Sequence, residues 1–257
     1  MNSLRALVTG GSRGIGRAIA QQLAARSCRV AVHYRDNHTA AEATLASLAG
    51  QGHIALAADI GCEADAERLW NESVGALGGI DILVNNAGVF APHPPLTTDL
   101  TAWQDSWRRT LSTNLMGPAT LSYLAARAMA GRELFEPRFG RGRIVNVSSR
   151  GAFRGEPKSP AYGASKAGLN ALSQSLAKAL APQAVYVYCL APGWVETDMA
   201  ADHLTGPDGE AILADHPLGR VATVEEIART AAFCALDAPA AMTGCIVDIN
   251  GASYLRT

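Results

Sequence analysis

The stretch RALVTGGSRGIG, residues 5–16, decides the fold class. The apolar run RALVT leads into a glycine-rich loop, and the loop opens the amphipathic pattern GRAIAQQLAARS at residues 16–27. A strand, a glycine loop and a helix in this order form the first unit of a nucleotide-binding α/β fold. Gly10 and Gly14 allow a tight turn close to a pyrophosphate, and Gly16 allows close packing of the helix. A plain glycine turn between strand and helix is the alternative interpretation.

Six further apolar runs extend this pattern along the chain: RVAVHY (29–34), HIALAAD (53–59), DILVNN (81–86), GRIVNVSS (142–149), VYVYCLAP (185–192) and CIVDING (245–251). Helical patterns lie between most of them, including 65–77, 101–130 and 161–181. Apolar strands that alternate with helices predict a doubly wound (Rossmann) α/β fold with a seven-stranded parallel sheet flanked by helices. Because no repeat or linker divides the chain, we expect one domain over residues 1–257. The irregular stretches 132–142 and 197–220 are predicted to be functional loops, the second a substrate loop.

Composition argues against several classes of partner. The 257 residues carry a formal net charge of -1, so we expect neither nucleic acid nor a membrane surface as partner. The five cysteines are scattered and form no C-x-x-C pair, so we expect neither a metal site nor a disulfide framework. We expect them to be buried thiols in a reducing cytoplasm. The N-terminus lacks the long apolar segment of a signal peptide, and no apolar stretch is long enough to span a bilayer. These features predict a soluble, cytoplasmic protein.

The stretch AYGASKAG, residues 161–168, places Tyr162 four positions before Lys166, on one face of a predicted helix. The chain has only three lysines, so coincidence is a weak explanation for this pair. The pair is either a solvated surface contact or a device for moving a proton.

Four more fragments follow in a recognisable order: NNAG (85–88), STNLMG (112–117), NVSS (146–149) and PGWVET (192–197). With the glycine loop and AYGASK, they make the chain resemble the short-chain dehydrogenase/reductase family over nearly its whole length. Within that family, ILADHPLGRVATVEEIA (212–228) and CIVDINGASY (245–254) resemble 3-oxoacyl-carrier-protein reductases.

The resemblance implies four catalytic residues. Tyr162 would donate a proton to a substrate carbonyl, and Lys166 together with an oxidised nicotinamide would lower its pKa from about 10 toward 7. Ser149 would hydrogen-bond the reacting oxygen. Asn114 would hold a water that links Lys166 to solvent; a solvated position or a local kink is the alternative for an Asn within a helix.

The resemblance also implies a set of cofactor contacts, to which Tyr162 and Lys166 belong. Asp59 would meet the adenine amine, Asn86 with its two neighbours would line the adenosine ribose, and Thr197 would reach the nicotinamide carboxamide. The full predicted set is Gly10, Ser12, Arg13, Gly14, Ile15, Gly16, Tyr34, Arg35, Asp59, Ile60, Asn86, Ala87, Gly88, Pro192, Gly193, Val195 and Thr197. The chain departs from the family pattern at Tyr188, where many relatives have a structural Asn. We expect this difference to affect local packing rather than chemistry.

Two rules disagree on the choice of cofactor. An acidic residue about 20 positions past the glycine loop is the usual signal for NAD, and Asp36 loosely qualifies. In the family, however, the acid stands where this chain has Tyr34, and Arg35 follows directly. Arg35 and Arg13 could converge on a 2′-phosphate, although Asp36 could pair with Arg35 and weaken its effect. We therefore expect NADP(H) to be favoured over NAD(H).

These observations predict an NADPH-dependent reductase that transfers hydride to a ketone, with a 3-oxoacyl thioester as the first substrate class. A small diketone, a steroid or a quinone is the alternative. A non-catalytic nucleotide-sensing protein is less favoured because all four catalytic residues are present, and an epimerase or dehydratase normally has a longer chain with a different glycine spacing.

The substrate could arrive on a carrier protein. Carrier-protein reductases place basic residues where this chain has Gly140 and Gln183, and Arg138, Arg141 and Arg143 lie close enough in sequence to substitute. The family also implies a homotetramer, paired through the helices at 101–130 and 161–181 and through the last strand with the helix near 223–236.

Overall fold

Seven parallel strands form one sheet in the order β3-β2-β1-β4-β5-β6-β7. The structure is a computed structural model that describes residues 3–207 and 209–256, so positions 1, 2, 208 and 257 of the predicted domain lie outside the described residues. The strands are β1 (Arg5–Val8), β2 (Arg29–Tyr34), β3 (Ile54–Ala57), β4 (Ile82–Asn85), β5 (Gly142–Val147), β6 (Val185–Pro192) and β7 (Ile246–Ile249). The predicted seven-stranded parallel sheet is confirmed.

Helices cover both faces of the sheet. They are α1 (Gly14–Ala25), α2 (His38–Ser47), α3 (Glu63–Leu77), α4 (Leu100–Leu111), α5 (Gly117–Ala130), α6 (Gly151–Arg154), α7 (Pro160–Leu180), α8 (Asp198–Thr205), α9 (Gly209–Ala214) and α10 (Val224–Ala232). The long helical stretch predicted at 101–130 is α4 and α5 joined by a π-helical turn, Ser112–Met116.

Successive side chains of a strand point to opposite faces of the sheet, so the core consists of two apolar clusters, one on each face. Val8 packs on the side of α1 and α10, whereas its neighbour Leu7 packs on the side of α3 and α5, and both are fully buried. Side chains of successive strand residues point to opposite faces, so a strand covered on both faces must be apolar throughout. This requirement explains why the strands read as continuous apolar runs in the sequence.

The strand order reverses between β1 and β4, which leaves a crevice at their carboxyl ends. Asn86, directly after β4, donates from its side-chain amide to the carbonyl oxygens of Thr9 (2.9 Å) and Gly10 (3.2 Å). The Thr9 hydroxyl in turn accepts the backbone N–H groups of Asn86 (2.9 Å) and Ala87 (3.0 Å). The glycine loop is therefore fixed to the end of the neighbouring strand.

The two stretches predicted as irregular differ from each other. Residues 197–220 contain two short helices, α8 and α9, instead of irregular loop alone. Residues 132–142 form a turn closed by an antiparallel bridge between Glu136 and Gly140, and Phe139 inserts its buried ring into the core.

Arg143 was considered above as a carrier contact, and the structure contradicts that idea. Its guanidinium is buried and donates to the carbonyl oxygens of Arg138 (2.9 Å) and Cys234 (3.0 Å). It lies over the rings of Phe139 (5.0 Å) and Tyr188 (5.7 Å). Because solvent does not reach it, Arg143 cannot meet a docking protein, and the same packing gives Tyr188 its structural role.

The expectation that the cysteines are buried is wrong at one position. Cys28, Cys189 and Cys234 are buried and Cys245 is partly buried, but Cys62 is exposed at the start of α3. All five thiols are free in the structure.

Candidate active site

A cleft of about 700 Å³ opens at the carboxyl ends of the strands and extends from the glycine loop to Tyr162. All the predicted cofactor-binding residues line it, as do Ser149, Tyr162 and Lys166. Asn114 is the exception among the predicted site residues, because it lies fully buried behind the cleft wall. The structure thus brings together residues from distant parts of the sequence.

The backbone of the glycine loop packs too closely at Gly10 and Gly16 to accommodate a side chain. A Cβ at Gly16 would run into the carbonyl oxygen of Gly10, and one at Gly10 would come within 2.9 Å of the Ala87 Cα. Gly10 also has a φ of +63°, which an L side chain rarely adopts. Because α1 begins at Gly14 within this loop, its free N–H groups lie at the cleft. The loop therefore fits the pyrophosphate of a dinucleotide.

His33, which sequence reasoning missed, supports the same loop from β2. Its Nδ1 accepts the backbone N–H of Gly10 at 3.0 Å, and its Nε2 donates to the Ala58 carbonyl oxygen at 2.9 Å. Burial lowers the pKa of His33 to about 4, so the imidazole is neutral at pH 7. Its Nδ1 therefore carries no proton and can accept the Gly10 N–H. A single polar residue inside the apolar run RVAVHY was the only sequence signal.

Two arginines of the predicted cofactor set line the cleft, Arg35 directly after β2 and Arg13 in the glycine loop. The Arg35 Nε donates to the Asp36 carboxylate at 2.6 Å, which is the pairing considered above. Arg13 is about two-thirds exposed, and its guanidinium lies 4.0 Å from the Asp198 carboxylate. Both arginines line the cleft, so they are available to an anionic group there.

At the opposite end, α7 carries Tyr162 and Lys166, and Ser149 follows β5. The Lys166 Nζ donates to the Val147 carbonyl oxygen at 2.8 Å and lies 5.8 Å from the centre of the Tyr162 ring. The Ser149 hydroxyl accepts the Gly151 N–H at 3.0 Å and hydrogen-bonds the Tyr162 side chain. Two hydroxyl groups and a buried amine therefore lie in the same part of the cleft.

Burial controls the acidity of these groups. It lowers the pKa of Lys166 to about 8, which leaves the amine mostly protonated at pH 7. Burial raises the pKa of Tyr162 to about 12, and the hydrogen bond from Ser149 offsets only part of this. The lowering expected from the sequence relies on an oxidised nicotinamide beside the phenol as well as on Lys166, so it stays a prediction. A protonated phenol at neutral pH is the form that can donate a proton.

Asn114 lies in the π-helical turn between α4 and α5. Its amide oxygen accepts the Val89 N–H at 2.8 Å, and its amide nitrogen donates to the Val89 carbonyl oxygen (3.0 Å) and the Ser165 hydroxyl (3.2 Å). A Cβ at Gly88 would lie 3.5 Å from the Asn114 amide oxygen and 3.6 Å from the Lys166 amine, so the two groups approach each other there. Such turns are frequent at functional sites.

An aromatic wall, formed by Phe90, Trp194 and His203, adjoins Tyr162 and was not predicted. The Phe90 ring lies 5.0 Å from the Tyr162 ring and 5.7 Å from the His203 ring, and Trp194 lies 5.3 Å from His203. The Phe90 and Trp194 rings offer a surface beside Tyr162 to an apolar substrate.

Within residues 3–207 and 209–256, no group of three or more histidine, cysteine or acidic side chains is arranged to hold a metal ion. None of the helices in that part of the chain is long and apolar enough to cross a membrane.

Comparisons with known proteins agree with this site. A family model described as enoyl-(acyl carrier protein) reductase matches residues 10–252. The chain is 36% identical to the 3-oxoacyl-[acyl-carrier-protein] reductase FabG of Haemophilus influenzae, over 97% of this chain and 98% of that protein. It is also 36% identical to FabG of Escherichia coli strain K12, over 97% of each.

A solved structure has the same fold and holds a cofactor. The short-chain dehydrogenase of Burkholderia cenocepacia, in complex with NADP, aligns with a TM-score of 0.85 and 32% identity, covering 97% of each chain. Matches of this identity and coverage, together with the glycine loop and the Ser149, Tyr162 and Lys166 cluster, establish that the chain is an oxidoreductase of the short-chain dehydrogenase/reductase family.

Proposed function

We propose that the protein reduces a ketone to a secondary alcohol with NADPH and uses Tyr162 as the proton donor. The observation that carries this proposal is the meeting of the Ser149 and Tyr162 hydroxyls in front of the buried Lys166 amine. Two O–H donors suit a carbonyl oxygen, on which negative charge develops during reduction. Reduction of a carbon-carbon double bond, the group that the family model's description implies, would use these donors only at a conjugated carbonyl beside it.

The residues act in a simple order. The Ser149 and Tyr162 hydroxyls orient the carbonyl. A nicotinamide dinucleotide held at the glycine loop would supply the hydride. Tyr162 then gives its phenolic proton to the developing alkoxide, and the Lys166 ammonium stabilises the phenolate that remains. Two hydrogen bonds with the Asn114 side chain hold Val89, which lies in the cleft wall next to Lys166. We propose that Asn114 also orders the water through which a proton returns to Tyr162 by way of Lys166.

NADP(H) is the proposed cofactor. We propose that the guanidinium groups of Arg13 and Arg35, which both line the cleft, hold the ribose 2′-phosphate, and that Tyr34 stands where an acid would repel it. The Arg35 pairing with Asp36 is exposed, so the carboxylate weakens the attraction only in part. The NADP complex of the Burkholderia cenocepacia relative supports the same choice.

For the substrate, we propose a 3-oxoacyl thioester, which the names of the FabG relatives favour. The aromatic wall offers an apolar surface beside Tyr162 on which an acyl chain can pack. Another small carbonyl compound, a steroid or a quinone remains the second candidate because the same rings suit a planar substrate. Of the three arginines considered for carrier docking, only Arg138 is exposed and Arg141 is partly exposed.

We also propose that the chain is one domain and that it works in the cytoplasm as a homotetramer. Five free thiols suit a reducing compartment. Met116 and Tyr123 are about half exposed on the helices that the family resemblance pairs between subunits, and Phe233 is 40% exposed after α10. Contact with another subunit would remove these apolar side chains from water.

The proposal is tested by NADPH oxidation, measured as loss of nicotinamide absorbance, with acetoacetyl thioesters and with unrelated ketones. Faster turnover of the thioester supports the substrate class, whereas turnover of other ketones alone removes it. If NADPH binds but none of the carbonyl compounds is reduced, the protein is a nucleotide sensor instead.

A further inference from the structure

The first turn of α7, which carries Tyr162, receives its cap from another part of the chain. The side chain of Ser159, at the N-cap position, does not cap the helix, and Pro160 has no N–H to donate. The first available N–H is that of Ala161, and it donates to the His93 Nε2 at 3.2 Å. The residue immediately before the catalytic tyrosine is thus held by a histidine 68 positions earlier.

The protonation of His93 follows from its contacts. Its Nδ1 lies 2.8 Å from the Ala91 carbonyl oxygen, which can only accept, so Nδ1 carries the proton and Nε2 has the free electron pair. Its backbone N–H donates to the Lys158 carbonyl oxygen at 2.8 Å, and the Ser159 hydroxyl donates to the Ala91 carbonyl oxygen at 3.1 Å. Three hydrogen bonds therefore join residues 91–93 to the start of α7.

His93 belongs to a segment, residues 89–93, which we call the β4 loop. Asn114 holds the first residue of this loop, Val89, and the last residue, His93, is itself bonded to Ala161 of α7. Between these points, Phe90 packs its ring against Tyr162, and on the other side the Trp103 ring lies 5.4 Å from the His93 ring. His93 is 1% exposed, so its place in this arrangement is fixed.

We propose that His93 is a positioning residue for Tyr162, an inference that rests on the proposed function. It holds the first turn of α7 and the β4 loop together, so that the phenol faces Ser149 and the Phe90 ring covers it. The Lys166 amine has its own bond to Val147, and His93 does not line the cleft. Loss of the His93 bond therefore lowers kcat and leaves the affinity for NADPH unchanged.

The test compares His93→Ala, His93→Gln and Ser159→Ala in the full-length protein. We expect His93→Ala to lower kcat for ketone reduction about tenfold, because small displacements of a reacting group are costly. His93→Gln keeps an acceptor at a similar reach and restores most of the rate. Ser159→Ala removes the neighbouring bond and lowers kcat to a smaller extent. NADPH affinity, measured by fluorescence titration, stays unchanged in all three variants.

His53→Ala is the matched control. The His53 ring also accepts a backbone N–H, that of Val30 at 3.1 Å, but it lies outside the cleft. We expect this variant to keep the parental kcat.

The inference is overturned if His93→Ala and Ser159→Ala keep the parental kcat, or if kcat and NADPH affinity fall together. If His93→Ala does not fold, His93→Gln and Ser159→Ala carry the same comparison. Tyr162→Phe in the same assay separates the two claims. An inactive Tyr162→Phe with an unaffected His93→Ala removes the role of His93 alone, whereas an active Tyr162→Phe removes the proposed function.

Discussion

His33 makes the stability of the cofactor cleft depend on pH. Burial lowers its pKa from about 6.5 to about 4, so between these values the unfolded chain binds more protons than the folded chain. The free energy of unfolding therefore falls as pH decreases from about 6.5 to about 4, by up to about 3 kcal/mol at about 1.4 kcal/mol per pKa unit.

This prediction is checked by urea unfolding at several pH values. We expect His33→Asn, which keeps an acceptor but does not titrate, to lose most of the dependence between pH 6.5 and pH 4. An identical pH dependence in the variant and the parent would show that other groups cause it.

Arg35 is predicted to decide between the two coenzymes. Arg35→Asp removes a cation from the site of the 2′-phosphate and places an acid near the ribose hydroxyls, so kcat/KM shifts toward NADH. Arg26→Ala, at the far end of α1 and paired with Asp237, is the control and leaves the preference unchanged. Comparable efficiency with both coenzymes in the parent protein, or no change when Arg35 and Arg13 are replaced together, would contradict this role.

Most residues of the candidate site could be predicted from the sequence. The residues that hold the surrounding backbone in place could not. The predicted residues that line the cleft were found from short motifs whose spacing is local. His33 and His93 were missed because each acts on a backbone N–H far away in sequence, Gly10 and Ala161, and only the folded chain brings them together. The expectation that Arg143 could contact a carrier protein was wrong for the same reason. No feature of the neighbouring sequence indicates that this arginine points into the core.

The strand-loop-helix element of β1 and α1 depends on the missing side chain of Gly16. A methyl group there would collide with the Gly10 carbonyl, so Gly16→Ala is expected to push the loop out of shape and weaken NADPH binding severely. The matched control is Gly75→Ala within α3, where a Cβ would meet nothing within 4 Å. We expect it to keep the affinity and to raise the free energy of unfolding by up to about 1 kcal/mol. Equal NADPH affinity in both variants would refute the packing argument.

The strands were predictable because both faces of the sheet are covered, which forces continuous apolar runs. β2 and β6 have the predicted bounds, and the other five strands end one or two residues earlier than predicted. Three of these, β3, β4 and β7, also begin one residue later. The π-helical turn at Ser112–Met116 and the short helices α8 and α9 were not predicted. Elements of four to eight residues obtain their stability from packing rather than from local preference, so their sequences carry little signal.

For the whole molecule, the prediction is a homotetramer. The exposed Met116 and Tyr123 on one side and Phe233 on another would be covered by two different subunit contacts. Light scattering at micromolar concentration is expected to give four times the mass of one chain, and Tyr123→Glu is expected to reduce it. A monomer in the parent protein would reject this assembly.

The central claim is that the Tyr162 hydroxyl supplies the proton, and Tyr162→Phe tests it most directly. The variant removes one oxygen and keeps the ring beside Phe90, so we expect ketone-dependent NADPH oxidation to fall at least about a hundredfold while NADPH affinity stays unchanged. Tyr186→Phe, which removes a hydroxyl outside the cleft, is the control and keeps the parental rate. Ordinary turnover by Tyr162→Phe would contradict the account.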